Sequence, residues 1–354
     1  MEVLIFNVGS SSLKWTVLAE DDSIIAQGNE RASGMDPAAL RDTIERVGAA
    51  CARASADVRV VGHRIVHGAS IFQSSVRVDD AVRRTLEQLA ALDALHMRPA
   101  LSLLDAARTC MPEVPHVAAF DTAFHRTLSA DAAAYALPHE WSTLLPQGVE
   151  LRRYGFHGLS VEWSLERARR LLGELPRRVL VAHLGSGCSV TAVLDGKSID
   201  TTMGFTPLDG LMMGTRPGAL DPGLLIFLER ECGLEPARLA EGLERRAGLL
   251  GVSGTSADLR EVMAAAQRGD SRAQLAYGCF IACGRRGLGA MSGSLGGVDA
   301  VIFTGGMGEH SRRVRADLRR FLREGDEGTV RVLVVHARED LIVARDARQL
   351  MRSG

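Results

Sequence analysis

Isolated polar side chains among apolar residues are the first sign of chemistry in this chain of 354 residues. Arg64 lies in Gly-His-Arg-Ile-Val-His-Gly, between residues that we expect to be buried, and Asp121 ends the apolar run that precedes it. A buried arginine needs an anion, either a carboxylate or a ligand, because an unpaired charge is costly away from water. Similar isolated polar residues are Asn7, His96, His157, Arg216, Asp258, Arg260 and Glu339. Each alone could be a helix cap, a surface ion pair or a hydrogen-bonded core histidine, but together they suit an anionic substrate, Mg²⁺ and a phosphoryl group in transfer.

Three turns rich in glycine and serine each follow a short apolar run. They begin at Asn7, Leu184 and Gly305. Backbone N–H groups converge in such turns and form an anion-binding nest, which phosphate oxygens can approach because no Cβ blocks them. One such turn would be weak evidence, but three favour a nucleotide held between two lobes.

Two shorter motifs are excluded. Gly196-Lys197-Ser198 resembles the end of a P-loop, but Ala192 stands where that loop needs a glycine, and the segment ends a predicted hairpin. Ser11 and Lys14 have the spacing of serine acyl enzymes, but the chain contains neither S-D-N nor K-T-G. Neither motif therefore predicts the chemistry.

The elements that position these residues are predicted to be those of an α/β protein. Apolar runs predict strands over Val3–Phe6, Leu13–Leu18, Arg178–His183, Ser189–Leu194, Ala300–Thr304 and Val330–His336. The first two strands align without a gap to the next two at an offset of 176, placing Gly9 on Gly185 and Leu18 on Leu194. Helical spacing predicts Asp79–Leu92, Val161–Leu172 and Asp340–Met351, and an apolar helix face with Val314, Leu318, Phe321 and Leu322. The repeat indicates two similar domains.

Composition narrows the class further. The chain has 42 Lys and Arg against 43 Asp and Glu, so the net charge of −1 gives no general attraction to nucleic acid or an anionic membrane. Its longest nearly uncharged apolar stretch, Leu275–Gly284, is too short to cross a bilayer, and the N-terminus lacks signal-peptide features. The six cysteines form no CxxC pair and are expected to be buried, reduced thiols. We therefore expect a cytoplasmic protein without nucleic-acid or membrane partners.

Seven segments in order along the chain resemble the motifs of acetate kinases. They are Phe6–Lys14, Gly62–Gly68, Phe120–His125, Arg152–Gly158, Met213–Arg216 with Asp221-Pro222, Gly251–Gly254 and Phe303–Glu309. The resemblance implies duplicated actin-like (ribonuclease H-like) α/β domains with a nucleotide cleft between them, and a homodimer. It divides the chain into an N-terminal domain, 1–125 plus 340–354, and a C-terminal domain, 126–339.

The resemblance also implies a role for each matching residue. The catalytic positions are Arg64, Asp121, His157 and Arg216. Arg64 also binds the acyl substrate, and the pocket around the acyl group contains Val66, Leu95, His96, Phe156 and Pro207. Asn7 and Glu339 match the metal site, with Asp340 as an alternative to Glu339. The nucleotide positions are Lys14, His183, Leu184, Gly185, Ser186, Gly187, Asp258, Leu259, Arg260, Gly306, Met307, Gly308, Glu309 and His310.

The implied reaction is the reversible transfer of the γ-phosphoryl group of ATP to acetate, with Mg²⁺, or Mn²⁺ as its alternative. Ser186 and His310 both replace asparagines of the family pattern, and Met97-Arg98 and Arg338 also depart from it. Rival hypotheses are a propionate or butyrate kinase, a pyrophosphate-linked kinase, an acyl-enzyme hydrolase using Ser11 and Lys14, and a nucleotide-regulated binding module.

Overall fold

Two β-sheets form the framework of the computed structural model, which describes residues 1–8, 12–31, 37–320 and 330–353. The first sheet has the order β3-β2-β1-β4-β6-β5 and the second the order β11-β10-β7-β8-β9. The strands of the first are β1 Glu2–Val8, β2 Ser12–Leu18, β3 Ile24–Arg31, β4 Val58–Ile65, β5 Val76–Arg77 and β6 His116–Phe120. Those of the second are β7 Arg178–Leu184, β8 Cys188–Leu194, β9 Lys197–Thr201, β10 Ala300–Thr304 and β11 Arg331–Val334.

The two sheets repeat one topology, which confirms the duplication. In each, an antiparallel three-stranded meander continues into two parallel strands: β3-β2-β1-β4-β6 corresponds to β9-β8-β7-β10-β11. The turns differ by one residue, because Val8 pairs with Leu13 in the first hairpin while Leu184 pairs with Cys188 in the second. The alignment of the two hairpins at a constant offset of 176 residues is therefore wrong across the turn, where the first hairpin has one residue more. Gly9, Ser10 and Ser11 lie outside the described residues.

Helices pack around both sheets. They are α1 Pro37–Arg53, α2 Asp80–Leu89, α3 Ala94–Cys110, α4 Ala130–Ala133, α5 Gly158–Leu172, α6 Pro222–Arg230, α7 Pro236–Glu241, α8 Gly248–Ser253, α9 Leu259–Gln267, α10 Ser271–Leu295, α11 Gly305–His310, α12 Arg312–Leu318 and α13 Glu339–Arg352. The helix predicted over 79–92 is α2 followed by a 3₁₀ turn, Ala90–Asp93. Phe321 and Leu322, predicted to continue an apolar helix face, lie outside the described residues.

The C-terminal helix α13 covers one face of the first sheet. Along β1, Val3 and Ile5 belong to the buried cluster that includes α13, while Leu4 and Phe6 belong to the cluster on the opposite face. At Gly62 in β4 a Cβ would lie 2.5 Å from Val343 of α13, so only glycine permits this close approach. The first strand and the last helix of the chain thus pack together. The division into 1–125 plus 340–354 and 126–339 stays a prediction.

Two further expectations can be compared with the structure. All six cysteines are free; Cys51 and Cys188 are buried, but Cys232 is exposed, so the expectation of buried thiols is wrong there. In the described part of the chain, no helix is long and apolar enough to cross a membrane.

Candidate active site

Three polar side chains lie at the carboxyl ends of three parallel strands and face α13. Alternation places Asn7 on the same face of β1 as Val3 and Ile5, because side chains two residues apart share a face. The same rule places Arg64 with Gly62 at the end of β4, and Asp121 with Ala119 just after β6. Ligand sites in open α/β sheets form at this edge of the sheet.

These residues form one hydrogen-bonded cluster with Glu339, the first residue of α13. The Arg64 guanidinium donates to both Asp121 carboxylate oxygens at 2.9 and 2.6 Å, and its Nη1 donates to Asn7 Oδ1 at 3.0 Å. The same Nη1 lies 3.0 Å from Glu339 Oε2, to which Asn7 Nδ2 donates at 3.0 Å. Asp340 instead pairs with Arg338, so the structure brings Glu339 and not Asp340 to the cluster.

The charge of Arg64 is largely satisfied within this cluster. Burial acts to lower its pKa, but the Asp121 and Glu339 carboxylates outweigh burial, so the pKa is raised and the group stays charged. A guanidinium has five N–H donors. Among the described residues, three of these N–H groups donate in hydrogen bonds and Nη1 also forms the ion pair with Glu339, so one Nη2 N–H of Arg64 is left for a ligand.

A second group of side chains, which includes His157 and Arg216, lies around the turn after β7. A Cβ at Gly187 would lie 2.8 Å from His157 Nε2 and 3.2 Å from Arg216 Nη2, so both side chains border the backbone of this turn. His157 precedes α5 in a left-handed conformation, φ 60°, and its ring stacks on His183 with centroids 4.1 Å apart. The Gly158 N–H donates to the Asp121 carbonyl at 2.8 Å, which ties this group to the first cluster.

His157 is neutral in the resting protein. Burial is the main reason that its pKa lies well below the usual value, and His183, Arg64 and Arg216 lower it further. Its Nδ1 lies 3.0 Å from the hydroxyl of Ser189, and Ser160 holds His183 in the same way at 2.8 Å. The sequence analysis missed both serines, because a buried serine in a strand or helix carries no distinguishing pattern.

Arg216 is part-buried and has no carboxylate partner among the residues that the structure describes. Its Nη1 donates to the Pro207 carbonyl at 2.9 Å, and the structure describes no ion pair for it. Burial lowers its pKa. A part-buried guanidinium with most of its donors open is the local signature of a site for an anion.

Of the residues predicted to surround an acyl group, Phe156 and Pro207 lie beside His157 and Arg216. Phe156 directly precedes His157 and is buried, and Val66 packs against the apolar cluster that contains Phe156. Pro207 is buried, and its carbonyl accepts from Arg216. Leu95 and His96 are half-buried at the start of α3, where His96 Nδ1 lies 3.0 Å from both carboxylate oxygens of Asp93. Asp93 was not predicted, although its position three residues before His96 could have indicated the pairing.

The predicted nucleotide residues differ in how accessible their side chains are. Ser186, Arg260, Gly306 and His310 are exposed, whereas Leu184, Gly187, Leu259 and Gly308 are buried. Leu184 and Leu259 belong to the apolar core, so only their backbone can face a ligand. Asp258 caps α9 and pairs with Arg260 at 2.5 Å. Gly185 and Met307 are half-buried.

Hydrogen bonds and strand pairing locate two other predicted nucleotide residues, Glu309 and Lys14. Glu309 at the end of α11 accepts from the backbone N–H of Ala337 at 2.9 Å and contacts His336 at 2.5 Å. Lys14 is exposed and pairs in register with Asn7, so it lies on the same face of the sheet as Asn7.

The oxygen donors of the first cluster fit Mg²⁺. Among the described residues, no group of three or more His, Cys, Asp or Glu side chains is arranged to hold a metal ion. Mg²⁺ is commonly held by one or two carboxylates together with substrate phosphates and water, not by an all-protein cage. Asn7 Oδ1 and the carboxylates of Asp121 and Glu339 supply such a set beside Arg64.

Comparisons with known proteins agree with this geometry. The sequence profile of the Acetokinase family matches residues 2–324. The acetate kinase of Nostoc punctiforme is 42% identical over 319 residues, which cover 84% of this chain and 78% of that protein. Two solved structures each match over 99% of both chains: an acetate kinase from Porphyromonas gingivalis, with TM-score 0.85 and 32% identity, and a propionate kinase from Francisella tularensis, with TM-score 0.89 and 30% identity.

The fold is thus the duplicated actin-like fold of phosphotransferases, and the protein is a kinase. Within that class, the chain belongs to the Acetokinase family.

Proposed function

We propose that this protein transfers the γ-phosphoryl group of ATP reversibly to acetate, giving acetyl phosphate and ADP, in the presence of Mg²⁺. The observation that carries the proposal is the position of the Arg216 guanidinium beside the Gly187 turn. Among the described residues, this guanidinium donates to one backbone carbonyl and has no carboxylate partner. A transferring phosphoryl group is an anion of the kind that such a site binds.

The acceptor needs no strong base, because acetate is already a carboxylate and therefore a nucleophile. An acetate oxygen forms a bond to the γ-phosphorus while the bond from that phosphorus to the ADP oxygen breaks. The remaining Nη2 N–H of Arg64 orients the acetate, and Asp121 fixes the guanidinium plane through two hydrogen bonds. Positioning and charge stabilisation supply the catalysis.

The phosphoryl group receives charge from Arg216 and a hydrogen bond from His157. When the Ser189 hydroxyl donates to Nδ1, the proton of the neutral ring is on Nε2, the nitrogen near Gly187. His157 therefore contributes a hydrogen-bond donor and not a second positive charge.

Asn7 and Glu339, with Asp121 beside them, would hold Mg²⁺. The ion, or Mn²⁺ in its place, would supply positive charge that stabilises the phosphates of the nucleotide. Lys14 and the turn at 185–187 lie on the side from which the phosphates would approach.

The test is a trapping assay. Purified protein with ATP, Mg²⁺ and acetate is expected to form acetyl phosphate, which hydroxylamine converts to a hydroxamate. Parallel reactions replace acetate by propionate or butyrate, and ATP by pyrophosphate. A folded protein that forms no hydroxamate with any of these carboxylates and donors would refute the proposal.

Propionate is the second candidate acceptor, because a propionate kinase is among the similar solved structures. Val66 favours acetate, since a β-branched side chain beside the Phe156 cluster narrows the pocket. A ratio of kcat/KM values above one for propionate over acetate would favour the second candidate.

A homodimer is the proposed assembly. α6 and α7 contain no buried residue, and Leu220, Leu224, Ile226 and Phe227 are exposed there; we call these four residues the α6 surface. Exposed apolar surface of this kind commonly marks a protein interface. α6 and α7 each contain one acidic and one basic side chain, so two copies can complement each other's charges.

A further inference from the structure

Asp93 lies at the start of α3 but does not cap that helix. An aspartate at this position normally accepts a hydrogen bond from a backbone N–H of the first turn. The Asp93 side chain makes no such bond, and both its carboxylate oxygens instead lie 3.0 Å from Nδ1 of His96. Its side chain is 8% exposed and that of His96 is 16% exposed, so the pair is largely shielded from water.

Two side chains on which the charge of Asp93 acts contact residues of the predicted acyl pocket. The His67 ring packs edge-on against Phe156, with ring centroids 5.3 Å apart. Burial lowers the pKa of His67 to about 4 and also lowers the pKa of Arg216, and the charge of Asp93 opposes both shifts. Arg216 donates to the Pro207 carbonyl, and His67 Nε2 lies 3.3 Å from the Phe205 carbonyl. The charge of Asp93 therefore acts on two side chains, His67 and Arg216, that contact Phe156 and Pro207 of the predicted acyl pocket.

We propose that Asp93 is a positioning residue for the acyl site: it accepts the Nδ1–H of His96 and so turns Nε2 of that ring toward the acyl group. An imidazole without such a partner can rotate about its side-chain bonds and exchange its tautomers. A carboxylate that accepts from one ring nitrogen fixes both the orientation and the proton position. The inference rests on the proposed function, because it assigns a role at the acyl site.

The first experiment compares Asp93→Ala, His96→Ala and the double variant in the hydroxamate assay. Asp93→Ala is expected to raise KM for acetate about tenfold, the size of effect that loss of one charged hydrogen bond produces. KM for ATP is expected to change less than twofold. In the His96→Ala background, Asp93→Ala is expected to have almost no further effect, because its action passes through His96.

Two more variants separate positioning from structural damage. Asp93→Asn keeps an oxygen that can accept from Nδ1–H and is expected to recover most of the acetate affinity. Asp105→Asn is the control, since Asp105 lies on the same helix and pairs with Arg83 at 2.6 Å. It should leave both KM values unchanged. Additive effects of Asp93→Ala and His96→Ala, equal increases in both KM values, or an unchanged KM for acetate would overturn the proposal.

A measurement that needs no activity separates this proposal from the proposed function. Nitrogen NMR shifts of the His96 ring, assigned with His96→Asn, should show a proton on Nδ1 in the native protein and its loss or exchange in Asp93→Ala. An Nε2–H ring in the native protein would overturn the role of Asp93 even if acetate is phosphorylated. A protein without kinase activity but with the expected NMR shifts would instead refute the proposed function.

Discussion

Two arginines at the cleft differ in how their guanidinium groups are satisfied. Arg64 donates three hydrogen bonds, to Asp121 and Asn7, and also forms an ion pair with Glu339. Among the described residues, Arg216 donates to the Pro207 carbonyl and has no ion pair. In the proposed function, Arg64 is therefore part of the protein framework as well as a ligand contact, whereas a bound anion would be the charge partner of Arg216.

Arg216→Ala tests this difference. An arginine at the transferring phosphoryl group contributes roughly 10³-fold or more to turnover, so kcat should fall by at least that factor. The melting temperature should change little, because no ion pair within the described residues is lost. Arg177→Ala, which removes an exposed ion pair to Asp195, is the control and should keep native kcat. A near-native kcat for Arg216→Ala would mean that Arg216 is structural.

Val66→Ala tests the acyl pocket. Removing the branched side chain beside the Phe156 cluster leaves room for one more methylene, and a methylene is worth about 1–3 kcal/mol in such a pocket. The ratio of kcat/KM values for propionate over acetate should rise about tenfold, on the scale of that free energy. A native enzyme that already prefers propionate or butyrate would contradict the assignment of Val66.

At the scale of elements, the nucleotide turns carry the clearest departures from the family pattern. Ser186 lies exposed in the turn after β7, and its short side chain offers no amide donor to phosphates. His310 ends α11, and its ring centroid lies 6.1 Å from that of His336. The double substitution Ser186→Asn with His310→Asn should lower KM for ATP and change KM for acetate little. Activity with pyrophosphate and none with ATP would contradict the donor assignment.

The sequence predicts elements of this fold better than their exact ends. Apolar runs correctly indicated β1, β2, β7 and β8, because a buried strand needs only a short local run of such residues. The repeat of these runs indicated the duplication. The one-residue difference between the two turns was missed, since hairpin register depends on turn geometry.

The sequence likewise predicts only part of the candidate active site. The repeated strand ends could be found from the sequence, but the Asp93–His96 pair and the serines beside His157 and His183 could not be assigned to the site. The two serine contacts join the start of α5 to β7 and β8, which only tertiary packing brings together. The Asp93–His96 contact is local, but nothing in the sequence indicates that it bears on the acyl site. Cys232 and the split of the 79–92 helix likewise depend on tertiary surroundings.

For the whole molecule, buried histidines predict a loss of stability in acid. Burial lowers the pKa of His67, His116 and His125 to about 4 in each case. In the unfolded chain these rings bind a proton near pH 6.5, so between about pH 6.5 and 4 the unfolded state binds more protons. The free energy of unfolding is therefore expected to fall as pH decreases through that window, by up to about 1.4 kcal/mol per pH unit for each ring.

Denaturant unfolding at pH 7.5, 6, 5 and 4.5 measures this dependence. His125→Gln should reduce its slope, because glutamine can still donate to the Phe156 carbonyl but does not titrate. His139→Gln removes an exposed histidine and should leave the slope unchanged. Stability that is constant from pH 7 to 4.5 would contradict the buried, neutral state of these rings.

The assembly of the molecule can be tested at the α6 surface. Ile226 and Phe227 are 52% and 55% exposed, and in the proposed homodimer the partner copy covers them. The native protein should sediment at roughly twice the mass of a 38.0 kDa chain, since symmetric dimers are the commonest assembly. Phe227→Glu should shift sedimentation toward the monomer, because a carboxylate at a covered apolar contact must lose its water. Leu144→Glu, at an exposed leucine outside this surface, is the matched control and should stay dimeric. A native protein that sediments as a monomer at micromolar concentration, or a Phe227→Glu variant that remains a dimer, would show that the α6 surface does not join two copies.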